Sequence, residues 1–222
     1  MSDVLFPLFL QLTGRPCLVI GGGRVAMEKA TRLLEFGAVL TIVAPQLVAQ
    51  LQQRVAQHEA TWIPELFQEE HLQGMWFVVS TLRDPEINQR ILAEANRRCI
   101  FLNVVDQPAF CSSHWPAILS RPPVTVAFST AGTAPALAGY LRRTLNEALP
   151  PRLDELATWL AYWRKQVQPI LPELEARGEF WRHLFALGIV EKFAGGEQEQ
   201  AEELIRRALQ TLENARQEQT HD

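Results

Sequence analysis

The chain is poor in the residues that announce a metal or redox centre. Among 222 residues there are three cysteines, Cys17, Cys99 and Cys111, and no C-x-x-C pair. The five histidines are scattered, so no preformed structural metal site is expected. An odd, unpatterned set of thiols points to reduced cysteines in a cytoplasm rather than to a disulfide framework. No apolar run is long enough to cross a bilayer. The opening residues also lack the basic start and apolar core of a signal peptide, so a cytoplasmic protein without a membrane partner is expected. Positive charge is not in excess: 21 Lys and Arg face 25 Asp and Glu, for a net charge of −4. That removes any general electrostatic drive toward nucleic acid, although local basic clusters remain available for a small anionic ligand. Tyr140 and Tyr162 are the only tyrosines, and neither has Lys four residues on. The Tyr-x-x-x-Lys pair of ordinary short-substrate dehydrogenases is therefore missing.

What is present is an alternation of strand and helix. The composition, 47% hydrophobic and 21% charged, is that of a globular chain with enough length for one large core or two small ones. Pro16–Ile20 reads as a short apolar strand. Apolar residues at 25, 26, 30, 33 and 34 then predict an amphipathic helix over Val25–Phe36, stopped by Gly37. Val39–Val43 is a second strand, and Pro45 predicts the first turn of a helix reaching about Gln57. Thr61–Ile63, Met75–Ser80 and Ile100–Val105 read as further strands, with a helix over Pro85–Arg98. Repeated strand–helix–strand units imply a doubly wound, Rossmann-type α/β domain with a parallel sheet covered on both faces.

Beyond Val105 the character changes. "DQPAFCSSHWPAILSRPP" reads as irregular, "VTVAFS" as a strand, and "TAGTAPALAGYLRRTLNEAL" as a small-residue turn entering a helix. From Arg152 onward the pattern is helical, with breaks expected near Pro169/Pro172, Gly178 and Gly195-Gly196 and with fraying over the last dozen residues. The expected organisation is a nucleotide domain over residues 1–112, a small α+β dimerisation segment over 113–150 and a C-terminal helical segment over 151–222. The middle segment has too few strands for its own sheet, which favours pairing with a second copy.

Gly21-Gly22-Gly23-Arg24-Val25-Ala26 fits G-x-G-x-x-A through Gly21, Gly23 and Ala26. The first glycine permits a tight turn, the second admits the pyrophosphate, and the small third residue lets helix and strand pack closely. Following a strand and opening a helix, the motif is in the context it requires, and the free N–H groups of the helix start suit phosphates. The second strand ends on Ala44-Pro45 where an Asp or Glu usually holds the adenosine ribose. No Arg replaces that acid to hold a 2′-phosphate, which favours NAD over NADP. Backbone groups at Ala44, Pro45 and Gln46 are left to take the ribose hydroxyls. Thr81, in "STLRD" after the fourth strand, is expected near the nicotinamide.

"GGGRVAMEKATRLLEFGAVLTIVAP", "NVVDQP" (103–108) and "FSTAGTAPALAGYLR" occur in this order. Together they resemble the precorrin-2 dehydrogenase / sirohydrochlorin ferrochelatase family, the dehydrogenase part of siroheme synthase. The likeness covers nearly the whole chain, and the family's alanine-proline after strand two absorbs the missing acid. The resemblance implies NAD-dependent oxidation of precorrin-2 to sirohydrochlorin, with Fe²⁺ as a further substrate in those members that make siroheme. It also implies an intertwined homodimer, and the length is expected to leave no room for the methyltransferase domain fused in some members.

On residues alone, Asp106 fits a turn-forming aspartate before x-Pro as well as a proton acceptor. The resemblance assigns it the family's proposed catalytic aspartate. His114 fits either a loop histidine or a partner in proton transfer or iron contact; the family usually has a Phe where Ser113 stands. In "STAGTAP" the candidate anion contacts are Ser129, Thr130, Gly132 and Thr133, with Thr133 equally a helix cap. A substrate with eight carboxylates calls for cations, for which Arg121, Arg142 and Arg143 are candidates. Trp159, Trp163 and Trp181 fit core packing better than macrocycle stacking. The competing reading is a module that senses NAD without turnover.

Overall fold

The computed structural model describes residues 4–219. Its first unit comprises the chain to Pro116 together with Ser129–Ala134; its second comprises Ala117–Phe128 and everything from Pro135.

In the first unit, β1 (Pro16–Ile20), β2 (Val39–Val43), β3 (Ala60–Ile63), β4 (Phe77–Ser80) and β5 (Phe101–Val104) form one parallel sheet in the order β3-β2-β1-β4-β5. Each of these strands matches its expected position to within two residues. Helices α1 (Arg24–Glu35), α2 (Ala49–Ala56) and α3 (Pro85–Arg97) connect β1 to β2, β2 to β3 and β4 to β5, and a loop with a short 3-10 turn at Glu69–Leu72 connects β3 to β4. Two buried clusters cover the two faces. Cys17, Val19, Leu40 and Ile42 pack with Ala26, Ala30 and Leu33 of α1 on one face. Leu18, Ile20, Val78 and Leu102 pack with Ile91 and Ala95 of α3 on the other. Strands buried on both sides are apolar throughout, which is why they read as runs rather than as alternation. The order of connection reverses between β1 and β4. A doubly wound sheet opens its ligand crevice there, outside the carboxyl ends of the strands.

The helix expected from Pro45 begins four residues later. The Val48 N–H donates to the Gly22 carbonyl at 2.9 Å. That bond holds Pro45–Val48 in a non-helical course across the glycine loop, and α2 starts only at Ala49.

In the second unit, β6 (Ala117–Arg121) and β7 (Val124–Phe128) form an antiparallel hairpin closed by Pro122-Pro123, whose peptide bond is cis. β6 lies in the passage read as irregular: Pro116 and Pro122 stand at its two ends and not within it. Helices α4 (Pro135–Ala148), α5 (Leu153–Ile170), α6 (Leu174–Ala186), α7 (Ile189–Ala194) and α8 (Gln198–Gln219) follow. Leu156, Trp159, Trp163, Val167, Leu184, Phe193 and Ile205 build the common core of α5 to α8. Trp159 and Trp163 are thus core residues, and Trp181 packs at the edge of that core.

The break expected at Gly178 is absent, because α6 runs through it; burial of Phe180 and Leu184 on the same helix outweighs a single glycine's cost of about 1 kcal/mol. The breaks at Pro172 and at Gly195-Gly196 are present, and one at Gly188, in a left-handed conformation, was not foreseen. α8 is helical to Gln219, past the start of the segment expected to fray, and residues 220–222 lie outside the described residues. No helix among the described residues is long and apolar enough to cross a membrane.

Gly178 is exposed in mid-helix, and a methyl there would meet nothing within 4 Å. Gly178→Ala is expected to stabilise the protein by about 0.5–1 kcal/mol, read as a higher denaturation midpoint; a lower midpoint would contradict the helical assignment.

Candidate functional site

The carboxyl edge of the sheet brings the ends of β1, β2 and β4 close together. Gly21 follows β1 at φ +114, a conformation that L side chains rarely adopt, and donates its N–H to the Val43 carbonyl at 2.9 Å. A Cβ here would collide with the Thr81 hydroxyl. That hydroxyl donates to the Ile20 carbonyl at 3.0 Å, and the Thr81 N–H donates to the same oxygen at 2.9 Å. Thr81 is thus a clasp between the ends of β1 and β4.

Gly22 lies under Gln46, whose carbonyl would overlap any Cβ on it. Gly23 differs: a Cβ there would meet nothing within 4 Å. It is the N-cap of α1, no side chain caps that helix and no acid stands in its first turn. Arg24 and Val25 beside it are exposed, and Ala26 is buried against the sheet. An open backbone approach beneath an uncapped, positive helix end fits a dinucleotide's pyrophosphate.

At the end of β2 the choice of ribose contacts narrows. The Ala44 N–H donates to the Ile63 carbonyl at 3.2 Å, and the Ala44 carbonyl accepts the Trp62 indole N–H at 2.9 Å. Its backbone polar groups are engaged within the sheet edge. Pro45 and Gln46 are exposed and remain the candidates for the ribose.

Asp106 follows β5, exposed and at φ +60. Aspartate is among the few non-glycine residues that enter this region readily. Cys111 fastens both sides of the turn. Its sulfur accepts the Val104 N–H at 3.2 Å, and its thiol lies 3.3 Å from the Val104 carbonyl and 3.5 Å from that of Gln107. Burial pushes this thiol up from its ordinary range, so it stays neutral and available as a donor. The Gln107 side chain reaches across to the Leu82 carbonyl at 3.0 Å. Beneath, fully buried Ser80 donates to the Asn88 side chain at 2.8 Å, and Asn88 donates to the Leu82 carbonyl at 2.9 Å. Asn103, nearly buried, holds the Ser113 carbonyl at 3.0 Å.

Sequence reasoning passed over Ser80, Asn88, Asn103 and Cys111. The signal was a polar residue inside an otherwise apolar strand or helix face. His114 is half-buried, and among the described residues no hydrogen bond joins it to Asp106. The Ser113 hydroxyl is buried, with no hydrogen-bond partner among the described residues.

The loop Ser129–Ala134 belongs to the same unit as Asp106 and the glycines. The Thr130 hydroxyl accepts the Ala134 backbone N–H at 3.2 Å. The Thr133 hydroxyl, read as an anion contact or equally a helix cap, donates to the Thr130 carbonyl at 2.6 Å. The Ser129 hydroxyl accepts from the Ala131 N–H at 3.2 Å. Ala131 at φ +50 and Gly132 at φ +78 make the bend.

Arg121 and Arg142 belong to the other unit. Arg121, expected to meet a substrate carboxylate, is engaged elsewhere. Its guanidinium donates to the Asn146 carbonyl at 3.0 Å and side chain at 2.9 Å, and to the Pro150 carbonyl at 3.5 Å. The unsatisfied carbonyls that end α4 attract a cation. Arg142 and Arg143 are exposed on α4. Among the described residues no three His, Cys, Asp or Glu side chains gather as metal ligands.

Three comparisons bear on this site. Residues 8–117 match a family model of NAD(P)-binding domains, and residues 152–209 match the sirohaem synthase dimerisation region. The chain is 40% identical over 204 residues to siroheme synthase of Photorhabdus laumondii, covering 92% of this chain and 43% of that protein. It is 44% identical over 204 residues to siroheme synthase 1 of Aeromonas hydrophila, covering 91% and 44%. It therefore spans less than half the length of these curated relatives. A solved structure titled SirC, precorrin-2 dehydrogenase, shares the fold with a TM-score of 0.69 at 22% identity, over 91% of this chain and all of that one.

The two glycines separate packing from binding. Gly22→Ala is expected to lower the thermal midpoint by several degrees, as overpacking of about 1–3 kcal/mol would, whereas Gly23→Ala leaves it unchanged. Equal midpoints in a melting experiment would remove Gly22 from the packing role.

Proposed function

The chain belongs to the siroheme synthase family, and we propose that it oxidises precorrin-2 to sirohydrochlorin with NAD⁺. The balanced reaction is precorrin-2 plus NAD⁺ giving sirohydrochlorin, NADH and a proton. The observation that carries it is Asp106. An exposed carboxylate stands in a tightly fastened left-handed turn, on the same sheet edge as the glycine loop.

Gly21, Gly22, Gly23, Arg24 and Val25 would hold the pyrophosphate, and Pro45 with Gln46 would hold the ribose. Thr81 would keep the turn in shape. The absence of an acid after β2 does not by itself select NAD, but no Arg stands at Ala44–Gln46 for a 2′-phosphate. When bound, the dinucleotide supplies the acceptor for the hydride. Asp106 takes the accompanying proton, as a general base within reach of solvent can. Ser129, Thr130 and Gly132 are proposed to meet the substrate's carboxylates, with Arg142 as a further cation and His114 as a second proton carrier. A carboxylate at Asp106 also suits metal insertion, because two pyrrole N–H protons must leave when Fe²⁺ enters; Fe²⁺ is then a second substrate. The free thiols of Cys17, Cys99 and Cys111 agree with a cytoplasmic setting.

We also infer a homodimer. Leu137, Tyr140 and Leu141 on α4 are 49%, 56% and 39% exposed. Their spacing of three and four puts them on one face. A two-stranded sheet with open edges is in the same unit. Leu137→Glu combined with Leu141→Glu is expected to give a monomer in sedimentation. A dimer of unchanged stability would place the interface elsewhere.

Mixing the protein anaerobically with precorrin-2 and NAD⁺ tests the activity: NADH and sirohydrochlorin absorbance should rise together. Fe²⁺ added afterwards separates a dehydrogenase from a dehydrogenase that also chelates. A protein that binds NAD but forms no NADH would instead be the sensing module. Asp106→Asn is expected to reduce turnover about 10²-fold or more while leaving NAD affinity within about twofold. Asparagine also accepts the left-handed turn, so the loss reads the carboxylate. Full activity in this variant would remove Asp106 from the mechanism.

A further inference from the structure

Lys29 is a cation on the inward side of α1. The helix buries Ala26, Ala30 and Leu33, and Lys29, three residues from Ala26 and four from Leu33, flanks that face and is half-buried. Its Nζ lies 4.3 Å from the centre of the Trp115 ring. Trp115 in turn packs edge-on against Phe77 of β4, with centroids 6.2 Å apart. An aromatic face attracts an ammonium but does not neutralise it.

Among the described residues Lys29 forms no ion pair, and its neighbour Glu28 is turned to Arg24 at 3.6 Å. Burial lowers the Lys29 pKa from its ordinary value, while Glu28 and then Asp106 push it back up. The ammonium is thus partly stripped of water, seated on an aromatic floor, and within the field of Asp106. Desolvated charge of this kind is costly unless an anion arrives.

We propose that Lys29, held over the Trp115 ring, is the cationic contact for a carboxylate of the tetrapyrrole. The inference rests on the proposed dehydrogenase function, and deepens it by naming a residue that holds the substrate. Other cations are less suited. Arg121 is engaged with the end of α4, Arg24 is paired with Glu28, and Arg15 stacks on Trp76 at 5.3 Å. The cofactor's pyrophosphate is a less fitting anion for Lys29. Lys29 lies six residues beyond Gly23, about 9 Å along the helix from the N-terminus that faces the phosphates.

The test is anaerobic titration of the full chain with sirohydrochlorin, followed by the absorbance of the tetrapyrrole, in parallel with NAD titration. Lys29→Gln is expected to weaken sirohydrochlorin binding about tenfold and to make it less sensitive to salt, with NAD affinity unchanged. Lys29→Arg, which keeps the charge, should stay within about threefold of the unaltered protein. Several outcomes would overturn the proposal. Equal sirohydrochlorin affinity in Lys29→Gln would remove the contact. A loss confined to NAD would assign the charge to the cofactor. A loss as large in Lys29→Arg as in Lys29→Gln would make the position one of shape, not charge; this comparison also covers a Lys29→Gln protein that folds poorly. Failure of the unaltered protein to bind sirohydrochlorin would take the proposed function down together with the inference.

Discussion

The structure of the first unit depends on how closely the ends of β1, β2 and β4 approach one another. Gly21 carries a backbone conformation closed to side chains, with the Thr81 hydroxyl where its Cβ would be. Gly22 has the Gln46 carbonyl in the same relation. Thr81 fastens the arrangement by giving both its N–H and its hydroxyl to Ile20. With these ends drawn together, α1 starts at a fixed place and points its uncapped N-terminus into the crevice. Of the three glycines, two are therefore spent on the protein's own packing, and Gly23 faces open space.

The same economy governs the turn that presents Asp106. A left-handed residue in an exposed turn would be mobile if it depended on its own conformation alone. Here the Cys111 sulfur grips the backbone on both sides, and Gln107 is tied across to Leu82. Beneath them Ser80 and Asn88 form a buried, mutually satisfied pair. Buried polar groups that are fully paired tend to fix one geometry, and this set fixes the two loops that flank the crevice.

Much of this was legible in the sequence. The central strands β1, β4 and β5 announce themselves because they are buried on both faces, and α1 and α3 because their apolar residues recur at helical spacing. The glycine motif and Asp106 stand where strand ends meet loops, so their position on the sheet's edge followed from the strands. What was not legible depended on contacts distant in sequence. The start of α2 is set by a bond from Val48 to Gly22, which no local pattern around Pro45 reveals. β6 hid between prolines that mark its limits. Gly178 stays helical because Phe180 and Leu184 are buried farther along the helix. Arg121 looked available for a ligand because the end of α4 that engages it lies 25 residues away.

The division of the chain has a consequence for its synthesis. Residues 129–134 belong to the first unit although β7 before them and α4 after them belong to the second. The polypeptide therefore passes between the units at three junctions, and a single cleavage cannot release either one whole. On the ribosome, the nucleotide-binding unit lacks its final segment until residue 134 has left the exit tunnel. By then the hairpin of the second unit has already been made, so the first unit cannot be completed before part of the second has emerged.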